Sequence, residues 1–219
     1  WGSSYSFIDD QDLYFEKLNP QNKNEYLSPS GYKKFSSQEK LIKVKNSATV
    51  NFSINRTENR VIIPHELYRM QPIVPEGFVV SLAWTGFRKN DTTLETFFNL
   101  MSSKKIDSFK SKIPQNNSFN LIFVIADEAE VSSLFIGNTP KRKKENETKG
   151  LVITPGWKTE NQWNLELKKE PQTFVLSSNN GIILNTNNSF LQEDFPNHMS
   201  FNWGDEQRLL RATKMINNR

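Results

Sequence analysis

Histidines, carboxylates and lysines are the residues of this chain whose types bear on catalysis, and they occur in few usable arrangements. His65 and His198 are the two histidines among 219 residues. A Ser-His-Asp set needs one of them as general base. His65 stands in a proline-rich loop beside Glu66, and His198 follows Pro196-Asn197; neither belongs to a G-x-S-x-G context. Their separation also gives no zinc-ligand spacing, so both read as loop histidines. Glu166 and Lys168 have the E-x-K spacing of a nuclease metal site, where the carboxylate holds Mg²⁺ and the lysine steadies the attacking water. That chemistry needs a further acidic residue at the base of the preceding strand. Residues 150–154 supply none, so the pair reads as the wet face of a strand. Asp127, Glu128 and Glu130 lack EF-hand spacing and read as an acidic turn.

No glycine-rich phosphate loop occurs. The chain has no cysteine, which removes disulfides, thiol nucleophiles and thiolate metal sites. No catalytic, cofactor-binding or metal-ligating set emerges. The expectation is a protein that is not an enzyme and carries no cofactor.

Lys141, Arg142, Lys143 and Lys144 form the densest basic run and suit phosphate contacts, but Glu145 and Glu147 follow at once and no aromatic interleaves them. A second basic cluster spans 33–45, with Tyr32 and Phe35 nearby. Trp84, Trp163 and Trp203 share phase with apolar strand faces and read as core. Trp157 sits after Pro155-Gly156 in a turn, a place that suits a partner contact. Tyr68 and Arg69 lie in the proline-punctuated loop 64–76 and join Trp157 and 141–144 as partner-binding residues.

The elements that must position these groups are mostly strands. Phe78, Val80, Leu82 and Trp84 alternate with Val79, Ser81, Ala83 and Thr85, the period of a half-buried strand. Val50 to Ile54 and Trp163 to Leu167 alternate likewise, and Met199, Phe201 and Trp203 read as a last strand. Phe119 to Ile125 is apolar on both faces and reads as the central strand. Asp10 to Leu18 reads as a short helical turn. Thr92-x-x-Glu95 matches a capping box ahead of a Leu94, Phe97, Phe98 and Met101 stripe, with a break near Ser102-Ser103. Asn180-Gly181 between apolar runs predicts a hairpin, and a C-terminal helix starts at Asp205.

The fold class expected is mainly β (α+β): an antiparallel β-sandwich or curved sheet with a helical insertion near 91–112 and a C-terminal helix. Residues 1–30, with two basic and five acidic residues, read as an acidic segment packing on a single β-rich domain over 31–219, with 137–150 as the best boundary loop. The net charge of +4 is modest and local. No apolar run spans a membrane and residues 1–219 contain no targeting segment. The lack of cysteine does not fix the compartment but suits an exported or cell-envelope protein.

The function expected first is a non-catalytic protein-binding module, an exported accessory or inhibitor protein whose partner is another protein. A nucleic-acid-associated β domain using 33–45 and 141–144 stands second, and a hydrolase without a recognisable motif third.

Overall fold

The computed structural model describes residues 1–64, 73–87, 89–114, 117–163, 175–177, 182–189 and 198–218. The elements are β1 (Gly2–Tyr5), β2 (Gln11–Asn19), β3 (Asn22–Ser28), β4 (Gly31–Lys34), β5 (Ser36–Ile42), β6 (Val50–Arg56), β7 (Val61–Ile63), β8 (Phe78–Trp84), α1 (Thr93–Ser102), α2 (Ile106–Lys110), β9 (Leu121–Ala126), β10 (Val131–Ile136), β11 (Thr154–Pro155), β12 (Val175–Ser177) and α3 (Glu206–Asn217). The fold is mainly β and antiparallel, with the helical insertion and the C-terminal helix where the sequence places them. Two compact units divide the elements: Trp1–Asp10, Thr85–Pro140 and Glu166–Arg219 form one, and Gln11–Trp84 with Lys141–Leu165 the other.

The first unit carries a four-stranded antiparallel sheet in the order β1-β9-β10-β12. β9 is apolar on both faces because both are covered. Phe123 and Ile125 join Leu134, Ile136, Leu100, Ile106 and Phe109 on one side, while Ile122 packs with Phe135, Ile8 and Met199 on the other. Each such fully buried side chain contributes about 1.5–3 kcal/mol.

α1 breaks at Ser103 as expected, yet its rotation is not the expected one. Leu94, Phe98 and Met101 are exposed at 72%, 65% and 59%, while Thr93, Thr96 and Leu100 are buried. Hydrogen bonds set that rotation. Thr96 Oγ1 donates to Asn117 Oδ1 at 2.5 Å, and Asp91 Oδ1 accepts from Thr93 N at 3.1 Å and Ser118 N at 3.0 Å. Asp91, rather than the Thr92 side chain, caps the helix. Burial would raise the Asp91 carboxyl, but the Thr93 and Ser118 donors outweigh it and hold it below its ordinary value. The acidic turn after β9 is also a cap, since Asp127 accepts from Ala129 N, Glu130 N and Ile106 N.

The second unit carries a sheet in the order β4-β3-β2-β8-β7-β6-β5, with β11 pairing parallel to β2. β4 and β5 stand at opposite ends of this ladder, yet only Phe35 separates them in sequence. Consecutive Cα atoms lie about 3.8 Å apart, so the sheet must curl until its edges approach, as in a half-barrel.

The segment read as a helical turn over 10–18 is instead strand β2, Gln11–Asn19. Leu13 and Phe15 pack with Ile63 and Val80 on one face, and Asp12, Tyr14 and Glu16 are buried on the other. The acidic residues obscure the alternation because their partners are distant in sequence. Residues 199–203 form no strand: Phe201 N donates to Asp9 Oδ2 and Met199 O accepts from Asp9 N, so the backbone groups are spent outside a ladder. The Asn180-Gly181 hairpin and the Glu166/Lys168 pair lie outside the described residues, as do His65, Tyr68 and Arg69.

Candidate functional site

In the first unit a turn of asparagines meets the end of β1. Asn187 adopts φ 63°, a left-handed conformation that asparagine tolerates better than other side-chain-bearing residues. Its neighbours stabilise the turn, for Asn187 N donates to Asn185 Oδ1 at 2.9 Å and Thr186 N to Asn188 Oδ1 at 3.1 Å. The Asn187 carbonyl accepts from Gly204 N at 2.8 Å. A Cβ on Gly204 would lie 2.8 Å from that carbonyl oxygen, so the approach requires glycine. The Asn187 side chain is also held at both ends. Arg208 Nη2 donates to its Oδ1 at 3.1 Å, while its Nδ2 donates to Ser4 Oγ at 2.7 Å and to the Tyr5 carbonyl at 2.8 Å.

Both sides of this site rest on ordered neighbours. Past Tyr5, Ser6 N donates to Asn120 O at 3.2 Å, and Asn120 Nδ2 donates to Asp10 Oδ2 at 2.8 Å. Asn120 Oδ1 accepts from Asn138 N at 2.7 Å. Before Gly204, His198 Nε2 sits 2.7 Å from Asp9 Oδ2, half-buried against Phe201. His198 is therefore a brace between the end of β1 and the approach to α3. α3 begins at Asp205, whose Oδ1 accepts from Gln207 N at 3.1 Å, and one turn later it presents Arg208.

The second unit buries two ion pairs on one sheet face. Asp12, 3% exposed, accepts from Arg142 Nη2 at 2.6 Å, from Arg142 Nε at 3.0 Å and from Trp163 Nε1 at 2.6 Å. Glu16 is fully buried; its Oε1 accepts from Arg60 Nε at 2.8 Å and Ser81 Oγ at 2.6 Å. Arg60 also donates to Gln162 Oε1 and the Gly156 carbonyl, with its guanidinium 4.4 Å from the Tyr14 ring centre. Burial pushes the Glu16 carboxyl up, against the pull of Arg60 and Ser81. Burial and the adjacent Asp12 charge push the Tyr14 phenol up as well.

Of the residues singled out for partner binding, Arg142 is turned inward to Asp12, whereas Lys141 and Lys144 are exposed and Lys143 is half-buried. Trp157 is half-buried, its ring 5.9 Å from that of Phe78. The structure thus does not bring the basic run onto one surface. Among the described residues no three carboxylate or histidine side chains are grouped to hold a metal ion.

What the Asn187 arrangement does chemically follows from its polarity. A guanidinium on the amide oxygen withdraws electron density and strengthens the Nδ2–H bonds as donors, and the fixed backbone aims them without reorganisation. Such a donor is of the kind that stabilises a carbonyl oxygen gaining negative charge. Sequence reading missed it because Ser4 and Asn187 are 183 positions apart. The available signal was the Asn185-Thr186-Asn187-Asn188 run, which marks a turn tolerant of positive φ.

Residues 1–219 match a protein family described as penicillin amidase. Acyl-homoserine lactone acylase QuiP of Pseudomonas aeruginosa is 27% identical over 171 residues, covering 75% of this chain and 20% of its own length. Penicillin G acylase of Escherichia coli is 25% identical over 220 residues, covering 99% of this chain and 24% of its own length. A thermostable penicillin G acylase from Alcaligenes faecalis has the same fold, with a TM-score of 0.76 at 17% identity over 99% of this chain and 39% of that one. The chain thus spans about a quarter or less of these two curated relatives.

These matches overturn the expectation of a non-catalytic binding module, the nucleic-acid alternative ranked behind it and the expectation of no enzyme, since the proteins matched are acylases. No local motif marks the Asn187 site, because the amide, guanidinium and backbone groups gathered there form no cluster in sequence. With the match running through every residue, the chain belongs to the penicillin amidase family.

Proposed function

We propose that this chain is part of an amide-hydrolysing acylase and that Asn187 supplies a donor to the scissile carbonyl. The reaction adds water across a C–N amide bond, releasing a carboxylic acid and an amine. As a nucleophile adds, the carbonyl oxygen gains charge and takes the place of Ser4 Oγ on the Asn187 Nδ2–H. Ser4 is easily displaced because its hydroxyl rotates and finds other partners. Arg208 acts through Asn187 as a positioning residue. The observation that carries the reading is the doubly held Asn187 amide, with Arg208 on its oxygen and β1 at its nitrogen.

The test is steady-state hydrolysis by the protein carrying this chain, with N-acyl-homoserine lactones and penicillin G as trial substrates because the relatives are named for them. Asn187→Ala is expected to lower kcat by about 10²–10³-fold with a small change in KM. Arg208→Ala should lower kcat less, with part of the loss recovered by Arg208→Lys. An Asn187→Ala protein that keeps its fold and loses under about threefold in kcat would overturn the reading.

A further inference from the structure

The Asn187 amide is held from two sides, and those sides must keep a fixed spacing if its Nδ2–H bonds are to stay aimed. On one side Ser4 Oγ and the Tyr5 carbonyl accept from Nδ2. On the other, Gly204 N donates to the Asn187 carbonyl and Arg208 Nη2 to its Oδ1. Arg208 is not placed by a core. No residue of α3 is buried, so where this helix stands is set by the segment that leads into it, 198–205.

Asp9 ties that segment to the end of β1. It lies just past Tyr5, and its partners Met199 and Phe201 lie just before Gly204. Asp9 N donates to Met199 O at 2.8 Å, while Asp9 Oδ2 accepts from Phe201 N at 2.9 Å and sits 2.7 Å from His198 Nε2. The core anchors the neighbours of these contacts, since Ile8 and Met199 are buried together with Ile122 and Phe135. The chain between Tyr5 and Asp9 is strained. Phe7 has φ 53°, a left-handed conformation disfavoured for a bulky side chain. Such a conformation persists only where its surroundings impose it. Here the bond from Ser6 N to Asn120 O fixes one flank and the Asp9 contacts fix the other.

We propose that Asp9 is a positioning residue for the Asn187 donor: its bonds to His198, Met199 and Phe201 set the spacing between β1 and the start of α3, and with it the direction of Nδ2. The inference rests on the acylase reading. It is tested by a double-mutant cycle in kcat on the protein carrying the full chain, with the same trial substrates. Asp9→Ala should lower kcat about tenfold with little change in KM. Asp9→Asn, which keeps an acceptor for Phe201 N, should recover most of that loss, and His198→Ala, which leaves the Phe201 bond in place, should cost less than Asp9→Ala. In an Asn187→Ala background Asp9→Ala should cost under about twofold, because no amide remains to be aimed. A purely structural role would lower kcat by the same factor in both backgrounds. Thermal denaturation checks the folding of each variant, and His198→Ala takes the place of Asp9→Ala in the cycle if the latter does not fold. Equal losses in both backgrounds, or an Asp9→Ala protein with wild-type kcat, would overturn this inference alone when Asn187→Ala shows its own loss. An Asn187→Ala protein with near wild-type kcat would overturn the acylase reading and this inference with it.

Discussion

Removing either partner of the Glu16–Arg60 pair leaves a different residue buried, and the two losses respond oppositely to pH. Arg60→Met keeps a chain of similar bulk but leaves Glu16, which is fully buried, with Ser81 as its remaining donor. A carboxyl so placed can take up a proton. Its folded-state value, already raised from the ordinary 4.5 by burial, rises further without the guanidinium. The folded state then holds a proton that the unfolded chain releases above 4.5, so stability falls as pH rises through that window. Each pH unit within it is worth about 1.36 kcal/mol. Because Arg60 pulls the carboxyl down in the wild type, the penalty of Arg60→Met relative to wild type should therefore grow between pH 5 and pH 8.

Glu16→Gln instead strands a guanidinium that cannot lose its proton. It should cost about 3–5 kcal/mol, without growth over the same range. Urea unfolding followed by tryptophan fluorescence at pH 5, 6, 7 and 8 measures both, and Glu16→Gln with Arg60→Met should cost less than the sum of the two. An Arg60→Met penalty equal at pH 5 and pH 8, or a Glu16→Gln penalty that climbs with pH, would show that the pair does not act as a buried charge couple.

Two further outcomes follow from single contacts. A Cβ at position 156 would sit 2.5 Å from Glu16 Oε2, in a region where the carboxyl has no room to retreat, so Gly156→Ala should cost about 1–3 kcal/mol of overpacking in urea unfolding and less when combined with Glu16→Ala. Asp205→Ala removes the cap of α3, a helix with no buried residue; it should cost about 0.5–2 kcal/mol of helix stability, seen as reduced helical circular dichroism, and should lower kcat through Arg208, with Asp205→Ser restoring both.

What could be read from sequence was what is decided locally. The break in the helical stripe near Ser103, the start of α3 at Asp205 and the doubly apolar β9 are set by neighbours within a few residues, so period and capping chemistry find them. β2 escaped because Asp12 and Glu16 look like solvent-facing residues until Arg142 and Arg60 are brought to them from 130 and 44 positions away. The stripe of α1 was a true periodicity assigned to the wrong side. Thr93 and Thr96 are weak apolar signals but strong hydrogen-bonding ones, and Asn117 and Ser118 determine which face turns inward.

The Asn187 site carries this reasoning to function. Its donor is an amide, its polarising group an exposed arginine and its remaining partners a hydroxyl and a backbone carbonyl. None of these is a histidine, cysteine or carboxylate, and none belongs to a recognisable sequence pair. A search built on histidines, cysteines and clustered carboxylates looks for groups that move protons or hold metals. It is therefore blind to a site whose proposed contribution is a fixed dipole, because a dipole acquires catalytic meaning only when the fold aims it at a carbonyl oxygen.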